Sequence, residues 1–479
     1  MPKIRCILIV AVYLGILLSA CAPATPALTS PPPLSSSPPK PTSPPATLAP
    51  TAEPINVGMP AIEYKDDRNE LLVISSVTGK PLDAFEPIPL GQNFYSYAFA
   101  SDERTLALVS NGKLYLIDLP SWQYRASDVD LHGWLSSVVY SPDETLLALA
   151  SGEPDGGLRI VDAKSGEIKA SAQIGFSIRN VRFTNDGNAI MVYGPHLAGT
   201  GVAANAGISV GVPKTALFDV SDLSLLWSVD LKGIRDGTFP KNADEPITQD
   251  IYQPGAATHY QPGITFDPTS DVLYAVHGDE DKLTTIDFAR RKVSTVDIHI
   301  QTSWLDQFMA MTAGVAYAKG MDGTSKQAVI SPDGKFLYVV GSTETFVQKS
   351  DGNMEFKQTF LGLQIVAIED GALINNIDSE GNSVQLSSDH RQVFLTGWKN
   401  NGSYGSPWTD IYDTSSNSLV RHIDNAYLTS TRLIGGRPIL VSSYGVSDNL
   451  CYMASFNPAD WSMVNEWHGK NCYGWLVAP

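Results

Sequence analysis

The feature that most constrains the fold of this chain is a repeated pattern of short apolar runs separated by polar turns. Residues 138–151 read Val-Val-Tyr-Ser-Pro-Asp-Glu-Thr-Leu-Leu-Ala-Leu-Ala-Ser, and residues 328–341 read Ala-Val-Ile-Ser-Pro-Asp-Gly-Lys-Phe-Leu-Tyr-Val-Val-Gly. Proline suits the second position of a type I turn and glycine the fourth, so each stretch predicts two strands joined by a tight hairpin. Looser copies begin near five further positions: Ala100, Thr184, Asp267, Ser387 and Ile434.

A second kind of hairpin follows each of the first: a strand that ends in aspartate, a turn with glycine, and another strand. Residues 158–168, with Asp162 and Gly166, are the clearest example. The β-branched and aromatic content of the runs, with turn residues between them, favours strands. The aspartate position aligns at eight places: Ser75, Asp118, Asp162, Asp219, Asp287, Ala367, Asp413 and Ser455.

Four short strands in every 42 to 46 residues is the spacing of a β-propeller blade. The chain resembles the YVTN and WD-repeat-like propellers, whose repeats carry the same Ser-Pro-Asp-Gly turn and the same strand-Asp-turn. The resemblance covers residues 60–479 and implies an all-β propeller of four-stranded blades. The Trp-Asp ending of true WD repeats is absent. The fold alone does not specify a function, because propellers host many activities.

The repeats contain seven hairpins of the first kind but eight of the second. A closed ring explains this difference. The body would begin near Ile55 at the second strand of a blade. The stretch 474–476, Gly-Trp-Leu, is similar to 133–135 before an innermost strand, and would supply the missing strand from the C-terminus. Closure removes exposed sheet edges. We expect eight blades closed by the C-terminal strand, with seven as the alternative if one degenerate copy is not a blade.

The N-terminal residues differ in character from the repeats. Lys3 and Arg5 precede an apolar run from Ile7 to Leu18, which leads into Leu-Ser-Ala-Cys at 18–21. A short apolar core with a basic flank is typical of a secretory signal and not of a membrane span. The tetrapeptide closely resembles a bacterial lipobox. That resemblance implies that residues 1–20 are a lipoprotein signal peptide and that Cys21 is lipidated as the first mature residue.

Residues 21–54 are predicted to be a linker, because 22–54 hold 12 of the 32 prolines and only two charged residues, Lys40 and Glu53. Residues 55–479 form the propeller in this interpretation. With 33 Lys+Arg against 50 Asp+Glu, the net charge is −17, which argues against a nucleic-acid partner. We expect an extracytoplasmic monomer anchored to the cell membrane through Cys21.

Four insertions interrupt the regular spacing. Residues 194–213 and 342–360 lie between the second and third strands of their blades, whereas 232–260 and 299–325 connect successive blades. In an up-and-down blade both kinds of connection emerge on one face, here called the loop-rich face. Long loops on one side of a rigid scaffold commonly carry binding. We therefore expect a functional surface on the loop-rich face, over blades four to six.

Aromatic and polar residues near that face are the candidate ligand-binding residues, and packing between blades is the alternative role for the aromatic ones. They are Tyr95, Trp134, Phe176, His196, Tyr252, His259, Tyr260, His277, Asp279 and Trp304. His259, His277 and Asp279 have side chains that can ligate a metal. No HExxH motif or cysteine pair accompanies them, so we expect no metal and no cofactor.

Cys451 and Cys472 are the only mature cysteines besides Cys21. Their predicted places, at the top of a third strand and before the closing strand, are on the same face. An oxidising compartment allows such a pair to form a disulfide, which would staple the closure.

The sequence favours a non-catalytic binding or interaction platform for an unidentified protein, peptide or carbohydrate ligand. No catalytic residues are assigned. Two alternatives remain open. One is a propeller enzyme, lactonase-like or quinoprotein-type in the manner of the resembling families, with its site at the channel mouth. The other is a carbohydrate-binding surface protein, which the aromatic residues suggest.

Overall fold

The chain divides into two units, Met1–Pro54 and Ile55–Pro479. The computed structural model describes only part of the second unit: residues 60–65, 69–75, 80–90, 94–131, 135–198, 208–240, 257–300, 323–348, 354–400, 405–424, 426, 439–445, 450–457, 460–470 and 476–477, without 103, 111, 130 and 388. The predicted signal peptide, Cys21 and the linker lie outside the described residues. No helix that is long and apolar enough to cross a membrane occurs among the described residues.

The secondary structure of the described residues is β-strand. In chain order the strands are β1 (Pro60–Lys65), β2 (Glu70–Ser75), β3 (Ile88–Pro89), β4 (Phe94–Phe99), β5 (Thr105–Ser110), β6 (Lys113–Asp118), β7 (Gln123–Asp128), β8 (Leu135–Tyr140), β9 (Leu146–Ser151), β10 (Gly157–Asp162), β11 (Ile168–Gln173), β12 (Asn180–Phe183), β13 (Ala189–Gly194), β14 (Lys214–Asp219), β15 (Leu225–Asp230), β16 (Gly237–Pro240), β17 (Ala257–Gln261), β18 (Gly263–Phe266), β19 (Val272–Val276), β20 (Lys282–Asp287), β21 (Lys292–Asp297), β22 (His299–Ile300), β23 (Gly323–Ile330), β24 (Phe336–Gln348), β25 (Met354–Phe360), β26 (Leu363–Ala367), β27 (Ala372–Ile377), β28 (Gly381–Leu386), β29 (Gln392–Asn400), β30 (Gly405–Asp413), β31 (Leu419–Asp424), β32 (Ile439–Gly445), β33 (Leu450–Phe456), β34 (Met463–Lys470) and β35 (Leu476–Val477).

These strands form an all-β propeller with four-stranded blades. Five sheets are complete blades, each an antiparallel meander of four consecutive strands: β4–β7, β8–β11, β12–β15, β18–β21 and β28–β31. The repeats predict eight blades, or seven in the alternative, and the structure corrects that number to five complete blades. The reason lies in three further sheets, which depart from the plain meander.

The three departing sheets have different causes. The first, in the order β3-β2-β1-β35, pairs Ile62 with Val477 and so joins the two ends of the body. Another merges the meander β23-β24-β26-β27 with strands of the insertions into one eight-stranded sheet. The last has three described strands, β32–β34, and the stretch expected to hold its innermost strand, near Ile434, lies outside the described residues.

The two predicted turn types occur where the repeats place them. The Ser141 hydroxyl donates to the Asp143 carboxylate at 2.7 Å and accepts from the Leu146 amide at 3.0 Å. The Ser331 turn repeats these contacts at 2.7 and 2.9 Å. Third strands end at the aligned position in seven sheets, and at Phe456, one residue later, in the last. The prediction that a strand ends at each aligned position is therefore confirmed to within one residue.

A left-handed residue follows the aligned site in seven sheets, four positions later in six of them and six positions later, at Trp461, in the last. These residues are Trp122, Gly166, Leu223, Arg291, Gly371, Asn417 and Trp461, with φ between 53° and 76°. Glycine adopts this conformation without strain, whereas the other residues do so at a cost. The same backbone turn thus recurs even where the sequence has lost the glycine.

The core lies between neighbouring sheets, which pack face to face. Numbered in chain order, the sheet β12–β15 is the fourth, β18–β21 the fifth, and the sheet that contains β23 the sixth. Seven apolar clusters fill the seams from the first and second sheets to the seventh and eighth. Ile190 and Met191, neighbours on β13, are fully buried on opposite faces of the fourth sheet, because strand side chains alternate.

All four insertions contribute to one hydrogen-bonded layer, called the insertion layer here. The Ser209 amide, from insertion 194–213, donates to the Thr238 carbonyl in β16 at 2.9 Å. β16 pairs with β17, which runs parallel to the start of β23. β23 pairs with β24, whose extension pairs with β25 in insertion 342–360. The repeats did not predict β16, β17 or β25.

Candidate functional site

Phe176 and His196 lie in the seam between the third and fourth sheets. The Phe176 side chain is buried within the core cluster of that seam. Its ring meets the His196 ring edge to face, with centroids 6.2 Å apart. The His196 Nε2 atom is 2.9 Å from the Gly175 carbonyl oxygen. Phe176 therefore packs between blades, and the assignment of Phe176 and His196 as ligand-binding residues stays a prediction.

His259 and Tyr260 lie on β17, in the insertion layer. Thr238 on β16 is the register partner of His259, and its hydroxyl is 3.0 Å from His259 Nδ1. Partial removal of the imidazole from water lowers the pKa of His259, and the positive charge of Arg179 lowers it further. His259 is nevertheless an exposed residue.

A fully buried carboxylate, Asp236, precedes the hairpin β16–β17. Its Oδ2 atom accepts a hydrogen bond from the Tyr193 hydroxyl at 2.9 Å, and Oδ1 accepts one from the Arg179 guanidinium. Asp236 and Tyr193 are 0% exposed. Burial raises the pKa of both groups above their ordinary values, although Arg179 offsets part of the effect. Both carboxylate oxygens are satisfied, which is what a buried charge requires.

Arg235, the residue before Asp236, is held by contacts of another kind. Its guanidinium carbon lies 5.6 Å from the centroid of the Phe239 ring and 5.4 Å from that of Tyr260. Its Nε atom is 3.5 Å from Asp279 Oδ2. The Arg235 side chain is nevertheless 55% exposed. Two aromatic rings and a carboxylate thus fix the plane of a guanidinium that faces water.

The turn after β19 supplies a third group of polar residues. His277 is buried, with Nε2 2.7 Å from the Thr284 hydroxyl, and burial lowers its pKa to about 4. The partly buried Asp279 has a pKa raised by desolvation. Lys326, on β23, is buried and lies 3.6 Å from Asp281 Oδ1. Its pKa is lowered because burial penalises the ammonium.

The structure brings His259, Tyr260, His277 and Asp279 into one region, around the hairpin β16–β17. Tyr95 lies on β4, and its side chain is not among those described. Trp134, Tyr252 and Trp304 lie outside the described residues, so their assignment stays a prediction. Within the described ranges, no group of three or more His, Cys, Asp or Glu side chains is placed to hold a metal ion.

The residues that organise this region were missed in the sequence analysis. Arg179, Tyr193, Arg235, Asp236 and Lys326 belong to no motif. The ion pair between Arg179 and Asp236 spans 57 residues of sequence, and only the fold brings the two together. The one signal available was the adjacent Arg235 and Asp236 inside a long insertion.

Comparison with known proteins gives a fold and no family. No protein-family model matches the chain, and no curated protein does. Among solved structures, the dihydro-heme d1 dehydrogenase NirN in complex with DHE aligns over 88% of this chain and 76% of its own, with a TM-score of 0.51 and 11% identity. The likeness is one of fold.

Two other solved structures align less closely. The β-propeller domain of Myceliophteria thermophila Cps50 (Swd1) covers 82% of this chain and 98% of its own, with 12% identity and a TM-score of 0.40. A eukaryotic initiation factor covers 88% of this chain and 99% of its own, with 11% identity and a TM-score of 0.45.

The groups around the hairpin β16–β17 offer hydrogen bonding and stacking. The buried carboxylate of Asp236 has both oxygens engaged and serves to hold Arg179. The groups that face water at the hairpin are Arg235 and His259, flanked by the partly exposed rings of Phe239 and Tyr260. Such groups donate hydrogen bonds and stack against planar surfaces.

Proposed function

We propose that this protein is an extracytoplasmic, lipid-anchored β-propeller that acts as a non-catalytic binding platform through its loop-rich face. The observation that carries the proposal is the insertion layer, in which the four separate insertions are joined by backbone hydrogen bonds. Unrelated loops that drift neutrally have no reason to form a common sheet. A rigid layer that presents fixed side chains is what a binding surface needs.

We also propose that the propeller is a ring closed by its C-terminal strand. The pairing of β1 with β35 supports this, as does the recurrence of the left-handed turn residue in seven sheets. The three incomplete or merged sheets would then occupy blade positions in the same ring. A Cys451–Cys472 disulfide would secure the closure. Cys472 lies outside the described residues, and mass spectrometry that found both cysteines as free thiols would refute the pairing.

Membrane attachment is proposed through Cys21 alone. Metabolic labelling with an alkyne fatty acid should modify the wild-type protein and not the Cys21→Ser variant, which should also leave the membrane fraction. A Cys21→Ser protein that stays labelled and membrane-bound would refute the lipid anchor without affecting the assignment of the binding face.

The binding face is tested by screening the purified full chain against glycan and peptide arrays and mapping each hit by hydrogen–deuterium exchange. We expect protection in peptides from the insertion layer and none in the Asp162-type turns on the opposite face. Glu280→Arg reverses a charge on the loop-rich face and should change the affinity for a hit, whereas the matched control Glu167→Arg should not. Each glutamate is ion-paired with the lysine two residues later, but Glu280 is on the loop-rich face and Glu167 on the opposite one.

An enzyme would give a different pattern. The NirN structure belongs to a dehydrogenase, and its likeness to this chain extends to the fold alone. Two results would overturn the hypothesis of a non-catalytic protein. One is a stoichiometric divalent ion found in the purified protein by elemental analysis, and the other is turnover of an array hit. Protection of the insertion layer with an unchanged ligand would support the hypothesis.

A further inference from the structure

We propose that the hairpin β16–β17 recognises the carboxylate of a sugar acid, with Arg235 as the group that binds it. This rests on the proposed function, since it names the ligand class for the same face. The hairpin combines a fixed, exposed guanidinium with two aromatic rings, and neither the repeats nor the fold requires that combination.

Arg235 is held in place before any ligand arrives. The Phe239 and Tyr260 rings, 5.8 Å apart between centroids, lie side by side against the guanidinium. Asp279 engages its Nε edge. A long side chain loses rotamer freedom when it binds, and Arg235 has lost much of that freedom already. The ligand therefore meets a preorganised donor.

The free edge of the Arg235 guanidinium determines which chemical group of a ligand can bind there. Within the described part of the chain, Arg235 forms one ion pair, with Asp279 at the Nε side, and its charge also acts on the Glu280 carboxylate. The two Nη groups form a planar fork that matches a carboxylate in bidentate geometry. A second arginine, Arg179, is fixed on the buried Asp236 beside the same hairpin, and it adds positive charge.

The rest of the hairpin favours a sugar over a peptide. An extended peptide commonly binds by adding a strand to a free sheet edge. Both edges of this hairpin already have backbone hydrogen-bond partners. The Thr238 carbonyl on β16 accepts from the Ser209 amide, and β17 pairs with β23. Recognition is thus left to side chains. The ring carbons of Phe239 and Tyr260 can meet a sugar face, while the His259 ring is available to hydroxyls.

The test uses digalacturonic acid, its methyl ester and the purified full chain in titration calorimetry. We expect the acid to bind and the ester to bind at least about tenfold more weakly, since a charged hydrogen-bonded pair is lost. Arg235→Gln should have the same effect as the ester. Arg235→Lys should retain only part of the affinity, because lysine keeps the charge and loses the fork.

Arg290→Gln is the matched control, because Arg290 is an exposed arginine paired with Asp287 on the opposite face. It should bind the acid like the wild type. Three results would each overturn the inference. The acid and the ester could bind with equal affinity, or the Arg235 and Arg290 variants could lose affinity equally. The protein could also bind an acidic peptide or inorganic phosphate in place of the sugar acid. If the acid does not bind but another array hit still protects the insertion layer, this inference fails and the proposed function stands.

Discussion

The buried contact of Asp236 with Tyr193 and Arg179 gives the sharpest test of how the insertions are held. Removing one partner of a buried charged group costs about 3–5 kcal/mol. Arg179 is 30% exposed and can turn to water, so the lower end applies, and we expect Asp236→Ala to cost about 3 kcal/mol. Tyr193→Phe leaves one carboxylate oxygen without a donor and should cost about 1–3 kcal/mol.

The double variant decides whether the reasoning is right. In Asp236→Ala the Tyr193 hydroxyl is a buried donor with no acceptor, and Tyr193→Phe removes that defect. The double variant should therefore be no less stable than Asp236→Ala alone, a coupling of roughly 1–3 kcal/mol. Urea unfolding of the full chain gives these values by linear extrapolation. Strictly additive losses would refute the account.

A surface pair provides the control for this cycle. Lys214 and Asp230 lie on neighbouring strands of the same sheet, 3.5 Å apart, and Asp230 is 51% exposed. Asp230→Ala should change the free energy of unfolding by less than about 1 kcal/mol. The pH dependence gives a second check. Because burial raises the pKa of Asp236 in the folded state, protonation of Asp236 adds stability at low pH, and that proton-linked part is lost as pH rises through the folded-state pKa.

Three further predictions concern turns and seams. His390 has φ of 60° at the turn position where Gly334 has 70°, so His390→Gly should raise stability and Gly334→Ala lower it, each by about 1 kcal/mol in urea unfolding. The turn hydroxyls and amides lower the pKa of Asp413 to about 2, so its stabilisation should be lost as pH falls from the ordinary aspartate value toward 2, and Asp413→Asn should flatten the melting temperature over that range. Arg182 donates to the Pro268 carbonyl at 2.9 Å across the seam between the fourth and fifth sheets, so Arg182→Met should cost about 1–3 kcal/mol in thermal unfolding, and an unchanged stability would count against that tie.

The sequence predicts the repeating part of this fold well because its turns carry local chemistry. Ser141, Asp143 and Asp162 form hydrogen bonds within a few residues of themselves, so their pattern can be recognised from the sequence alone. β16 and β17 escaped prediction because they occur once, in an insertion, and pair with partners that are distant in sequence. The region around Arg235 escaped for the same reason, since its side chains converge only when the fourth, fifth and sixth sheets are assembled.

The insertion layer also has a mechanical meaning. Strands that pass hydrogen bonds from 194–213 through β16, β17 and β23 to β25 join an insertion of the fourth sheet to the sixth sheet in one stiff arc. Tension applied to a ligand on the hairpin would enter both of its strands and spread across that arc. The weakest link under load would then be the contact between ligand and side chains, and release would leave the propeller folded and able to bind again.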